Sequence, residues 1–166
     1  EVLPFYISVF EVLNTDLIEV GYLESQNELT INNVFSQIQS HEEHPHFYRQ
    51  MLEREIEFAS SHFYEINEEL ENQFITLQLS SIEEIIKNKH LKLKSEDQLL
   101  NIINKLYSQN CEYSYLYCYV DFLHISVPSM LAFLQHFNIN DIFAETWTSL
   151  SKRLEQEIII PKEANE

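Results

Sequence analysis

The chain has 166 residues, one domain's worth, with 45% hydrophobic and 13% aromatic residues, enough apolar surface for a packed core and too much for a disordered chain. Its single glycine, Gly21, argues against tight hairpins and phosphate-cradling loops, both of which need glycine's conformational freedom. A formal net charge of −17 sets the chain against phosphate backbones and anionic lipid surfaces, so the expected partners include neither nucleic acid nor membrane.

The elements follow in chain order. Pro4 to Leu13 reads as a short apolar helix, with Phe5, Val9, Val12 and Leu13 at helical spacing. Asn14 or Thr15 is placed to cap a second short helix ending at Gly21, a residue suited to a left-handed C-terminal position. Thr30 opens a third, with Ile31, Val34, Phe35 and Ile38 on one face. The run His41-Glu42-Glu43-His44-Pro45-His46 breaks the pattern, and Pro45 suits the first turn of a helix that continues to about Tyr64. Phe47, Met51, Leu52, Phe58, Ala59 and Phe63 form its inner stripe; Glu53, Arg54, Glu55 and Glu57 form its outer face.

Asn67 is a natural N-cap for a helix through Phe74 and Ile75. Ser80 with Glu83, and Ser95 with Gln98, have the form of capping boxes. The first precedes Ile82, Ile85 and Ile86; the second precedes Leu99, Leu100, Ile102, Ile103, Leu106 and Tyr107. From Cys111 to Phe122 aromatic residues alternate as in a strand, but with no partner strand in a helical chain the segment is expected to be a helix buried on most sides. Ser126 caps a helix carrying Met130, Leu131, Phe133, Leu134 and Phe137. Asn140 or Asp141 begins the last, with Ile142, Phe143, Trp147, Leu150 and Leu154 near heptad spacing; Trp147 and Leu150 are assigned to the core. The expected fold is all-α, an array of about nine or ten short antiparallel helices in hairpins.

Four groups of residues invite a functional reading. His41, His44 and His46 could ligate a metal, although the His-Glu-x-x-His spacing of zinc proteases is missing and a solvated turn between helices is the favoured reading. Cys111, Cys118 and His124 could suggest a thiol nucleophile, but Tyr, Leu, Val, Glu112 and Asp121 around them favour a raised thiol pKa. On one helix the two cysteines would lie about 10.5 Å apart along the axis, beyond the roughly 7 Å that a disulfide spans. Lys87, Lys89, Lys92 and Lys94, with His90, hold four of the ten basic residues and could dock an acidic partner. The acidic stretch Glu65, Glu68, Glu69 and Glu71 reads as a solvated face or a surface for a basic partner. No catalytic, cofactor or metal site is assigned. With no disulfide framework, no export signal at Glu1–Phe10 and no apolar run of membrane length, a cytoplasmic setting is expected.

From about Leu77 to Glu157 the order of elements resembles a BACK domain, the helical array that follows a BTB domain in many adaptor proteins. The likeness is carried by Ile82-Glu83-Glu84-Ile85-Ile86, then Leu91 and Leu93, then Ser95-Glu96-Asp97 leading into Leu99, Leu100 and Ile103. Val120, Phe122, Leu123 and the Ile125-Ser126 step before Met130 are similar to the hairpin that follows. Leu13-Asn14-Thr15-Asp16-Leu17 is similar to the closing helices of a BTB domain, and the run from Glu55 to Phe63 to the linking helix. The likeness is strongest to divergent BTB/BACK-like proteins of protists. Lys105-Leu106-Tyr107 stands where the family has a Trp, and Val120-Asp121 where it has Val-Arg.

The resemblance divides the chain into residues 1–64, BTB-end and linking helices; 65–157, a BACK-like domain; and 158–166, a flexible tail. It implies a non-enzymatic adaptor or scaffold module, a ubiquitin-ligase substrate adaptor in some relatives. The strand-rich BTB body, which carries dimerisation and the contact with a cullin-type scaffold, has no counterpart in this sequence, so neither property is carried over. Two other readings stay open: a metal-binding protein built on His41–His46, and a helical protein that self-assembles by pairing Lys87–Lys94 with the acidic face of another copy.

Overall fold

A computed structural model describes residues 28–159, with side chains through Glu155. The two short helices expected before Gly21, the Leu13–Leu17 motif and the polar tail lie outside the described residues. Among those described, seven α-helices and four short 3₁₀ segments follow one another without a strand. The helices are α1 (Ile31–His41), α2 (Arg49–Ser61), α3 (Glu68–Phe74), α4 (Leu79–Ile86), α5 (Glu96–Gln109), α6 (Val127–His136) and α7 (Ala144–Ile159). The 3₁₀ segments are Phe63–Glu65, Cys111–Tyr119, Phe122–His124 and Ile139–Asp141. The all-α fold expected from the sequence is what the chain adopts.

Several helix starts follow their capping chemistry. Asn33 Oδ1 accepts the Thr30 N–H at 2.8 Å at the head of α1, and Asn67 Oδ1 accepts the Leu70 N–H at 3.0 Å at the head of α3. Ser95 Oγ caps α5 through the Gln98 N–H at 3.3 Å, while Gln98 Oε1 reaches back one residue further than a capping box requires and accepts the Lys94 N–H. Ser126 Oγ accepts the Ser129 N–H at the head of α6.

Two expected starts are displaced. The helix after Pro45 begins at Arg49, because residues 42–48 form a run of turns instead. α4 begins at Leu79, not after Ser80. Its first donor, the Gln78 N–H, is held by a carboxylate from far along the chain: Glu42 Oε1 and Oε2 lie 3.0 and 3.1 Å away. A negative side chain at a helix N-terminus also meets the positive end of the helix dipole.

One hydrophobic core runs from Val34, Phe35 and Ile38 of α1 through Ile82 and Ile85 of α4 and the inner face of α5 to Phe133 and Leu150. Phe74 lies edge-on to both Phe35 and Phe63, at 5.6 and 5.4 Å between ring centres, and ties α1 and α3 together. α5 is the axis of the molecule. Asp97 Oδ1, in its first turn, accepts the Ser126 N–H, and Glu96 Oε2 accepts the Asp121 N–H. Near its end the Tyr107 hydroxyl donates to Asp141 Oδ2 at 2.6 Å.

The aromatic stretch is helical, as expected, but wound as a nine-residue 3₁₀ helix, longer than most. Three residues per turn put Ser114, Tyr117 and Val120 on one buried line, with Leu116 buried beside it. The buried Tyr117 hydroxyl donates to Asn104 Oδ1 at 2.7 Å. Tyr115 and Tyr119 donate to the two carboxylate oxygens of Glu83, which thereby clamps α4 to this segment instead of capping its own helix.

The carboxylates at the start of α5 titrate in opposite senses. Burial raises the Glu96 carboxyl above its ordinary range. Burial also pushes Asp97 upward, but the Ser126 N–H and the hydroxyls of Ser126 and Ser129 outweigh it and hold the group below the usual value. A depressed folded-state value adds stability above the unfolded value and loses it as pH falls through the folded one. Asp97→Asn is therefore less stable than the parent at neutral pH, and the gap closes below about pH 4. Urea unfolding of both proteins across this range measures it; a gap independent of pH would count against the assignment.

Candidate interaction surface

Where α2 and α4 lie side by side, their exposed faces and the loop after α4 enclose an open groove of about 480 Å³. Glu53 and Glu57 of α2 form one lip, Ile56 reaches its base, and Glu84, Lys87, Lys89 and His90 form the other. Acidic side chains of α2 thus face a mixed lip that holds Lys87, Lys89 and His90 beside Glu84, with Ile56 as the apolar lining residue. His90 Nε2 stands 3.6 Å from Glu57 Oε1, and Lys87 Nζ 3.8 Å from Glu83 Oε1, both pairs exposed enough to be worth little to stability.

The loop is built by short-range bonds. Asn88 Oδ1 accepts the His90 N–H and Asn88 O accepts the Leu91 N–H, which turns the chain out of α4. The Lys92 N–H then donates to Ser60 O, and the Ser60 hydroxyl sits within bonding distance of Ile56 O and Ile85 O, so the end of α2 anchors both α4 and the loop. Leu91 and Leu93 pack against the core while Lys92 and Lys94 are exposed between them. Of the four lysines singled out in the sequence, Lys87 and Lys89 line the groove; Lys92 and Lys94 follow in the chain, exposed and outside its lining. Among the described residues, no carboxylate pairs with Nζ of Lys89, Lys92 or Lys94. Unpaired cations are notable on a chain with 27 acidic residues.

The histidine run is a solvated turn from Glu43 to His46, but its first two residues are not solvated. His41 is buried and its Nδ1 lies 2.9 Å from the Glu55 carboxylate, with its ring stacked on Tyr48 at 4.5 Å. Glu42 is buried against Gln78. His44 and His46 are exposed. Among the described residues no three His, Cys, Asp or Glu side chains converge as metal ligands. Glu55, assigned to an outer face, is 2% exposed: it stands four residues from both Met51 and Ala59 on the buried stripe of α2, where it meets His41.

The cysteines do not meet a base. Cys111 is exposed, and the Cys118 thiol is pushed up by burial and then by the carboxylates of Glu145 and Glu83. His124 Nδ1 is bonded to Asp121 Oδ2 at 2.7 Å. Of the acidic stretch, Glu65, Glu68 and Glu69 are solvated, while Glu71 Oε1 lies 3.0 Å from Lys105 Nζ and helps bind α3 to α5.

Sequence reasoning missed Arg153, buried on α7, which donates to the carbonyls of Phe122 and Ile125. Its only signal was a cation three residues from Leu150, directly after Lys152. Trp147, assigned to the core, is 52% exposed; Leu150 is buried as expected. No protein-family model, no curated protein and no solved structure matches the chain.

Proposed function

We propose that the chain is a non-enzymatic protein–protein interaction module of the adaptor or scaffold kind, acting in the cytoplasm. Its docking face is the Lys87–Lys94 edge with the adjoining α2–α4 groove. The observation that carries the reading is that Lys89, Lys92 and Lys94 meet no carboxylate among the described residues, at and beside a groove that reaches down to Ile56, on a strongly acidic body. Such an edge suits an acidic segment of a partner protein, attracted over about one Debye length and seated by the groove. The BACK-like arrangement of α4–α7, and a role as a ubiquitin-ligase substrate adaptor, belong to this proposal and rest on the sequence resemblance. Among the described residues no helix is long and apolar enough to cross a membrane.

The test is affinity capture of the tagged full-length product from its source cells, for the parent and for a variant with Lys87, Lys89, Lys92 and Lys94 all changed to Glu. The parent is expected to retain one or more protein partners. The reversal should weaken them by about tenfold or more, equivalent to about 1.4 kcal/mol. Ubiquitin-ligase components among those partners would extend the reading to a ligase adaptor. Capture of the same proteins, equally well, by parent and variant would sink the docking face.

A further inference from the structure

A second surface lies at the other end of the chain. Val127, Leu131 and Leu134 follow one another on α6 at spacings of four and three, and Phe143, at the end of the link, begins a 4-3-4 series that continues on α7 through Trp147, the buried Leu150 and Leu154. The six side chains other than Leu150, with Ile139 in the link between the helices, are 46–64% exposed. The helices are joined at both ends. Residues 137–143 connect them directly, and Arg153 of α7 holds the Ile125 carbonyl just before α6. The two helices therefore run antiparallel, α6 packed on α5 and α7 packed on the 3₁₀ segments Cys111–Tyr119 and Phe122–His124.

Three observations say what covers it. The first is area: half exposure of seven large side chains, two aromatic at about 150–250 Å² and five aliphatic at somewhat less, leaves roughly 600 Å² of apolar surface. That stands at the top of the roughly 300–600 Å² of the largest patch on a typical monomer, against the roughly 800 Å² that each partner contributes to a stable complex. The second is charge: residues 122–140 contain no Asp, Glu, Lys or Arg, on a chain with a net charge of −17. Over most of their surface two copies repel each other; along α6 and the link they approach without opposed carboxylates, while α7 brings the exposed Glu145 and Glu155 together with Lys152. The third is spacing: alternating steps of four and three are the seam by which helices pack at a shallow angle into four-helix bundles.

We infer that the α6–α7 hairpin is a homodimer interface, in which two copies related by a twofold axis lay Val127, Leu131, Leu134, Phe143, Trp147 and Leu154 against the same residues of the partner. A self-complementary patch of this kind closes on itself and leaves no apolar face outward. It is separate from the lysine edge, so either surface can fail without the other.

Trp147 is the only tryptophan in the chain, so its emission reports on this patch alone. Sedimentation equilibrium of the full chain across a wide micromolar range should give twice 19.8 kDa, with dissociation on dilution. Trp147 emission should shift to longer wavelength in step with that dissociation. High salt should leave the dimer intact or tighten it, because burial and not ion pairing drives it. Leu131→Glu with Trp147→Phe should stay monomeric with unchanged helical circular dichroism, its dissociation constant raised at least a hundredfold; Trp147→Phe alone should stay dimeric. A monomer at every concentration would overturn the proposal, and a shielded Trp147 in that monomer would assign the face to residues 1–27 or another part of the same chain. A dimer that survives Leu131→Glu, or dissociates without any change in Trp147 emission, would overturn it equally.

Discussion

Glu55→Ala is expected to lower the unfolding free energy by about 3–5 kcal/mol, the range for breaking a buried pair by removing one partner. Glu55 is 2% exposed and His41 is 9% exposed, so water cannot replace the lost contact on either side. The imidazole would keep its buried Nδ1–H without an acceptor, and the stack on Tyr48 holds the ring where it is. His41→Ala strands the carboxylate instead and should cost a similar amount. Glu55→Gln keeps an acceptor and should cost less. Replacing both by leucine should recover most of the loss, because apolar groups of similar shape need no partner. A double-mutant cycle by urea unfolding measures the coupling. Single-variant losses below about 1 kcal/mol would mean that the pair is solvated in solution.

This pair also marks where the sequence stops being legible. Caps are local: an Asn or Ser before an apolar row has few other uses, so Thr30, Asn67, Ser95 and Ser126 could be placed without tertiary information. The rows they introduce were legible for the same reason: Val34, Phe35 and Ile38, or Leu99, Leu100, Ile102, Ile103 and Leu106, recur at one helical face and are buried together. What the sequence withheld are polar groups whose partners are distant. Glu42 meets Gln78, Glu55 meets His41, Glu83 meets Tyr115 and Tyr119, and Arg153 meets the carbonyls of Phe122 and Ile125. A carboxylate that caps its own helix and one that clamps another element have the same local pattern, which is why Ser80–Glu83 has the look of a capping box.

The candidate surface divides in the same way. The lysine run was visible as a composition change, and half of it lines the groove. The glutamates of the opposite lip come from α2, some thirty residues earlier in the chain, and only folding brings them near. The α6–α7 face was misread for a different reason. Apolar residues at helical spacing are the signal for a core, and the same signal describes a face that a second copy covers; nothing in one chain's periodicity separates them. Trp147 was therefore placed inside, where the folded chain leaves it half exposed.

Phe133→Ala is expected to cost about 3–5 kcal/mol, as full truncation of a buried ring does when the cavity cannot collapse. Phe133 is the single buried residue of α6. Its ring meets Phe137 at 4.8 Å, Tyr117 at 5.0 Å and Phe122 at 5.1 Å, so it joins the helix to the 3₁₀ segment and to the turn before it. The remaining apolar contacts of α6 with the core, through Met130 and Phe137, are partial. The loss should accordingly be local before it is global. Amide exchange in α6 should accelerate strongly while the amides of α1, α2 and α4 keep their protection relative to the variant's own global stability. Phe133→Leu keeps most of the volume and should cost less than half as much. If the alanine variant unfolds α1 and α6 together, with no separate opening of α6, then the helix is held by more than one ring, and the chain behaves as a single cooperative unit down to its C-terminal hairpin.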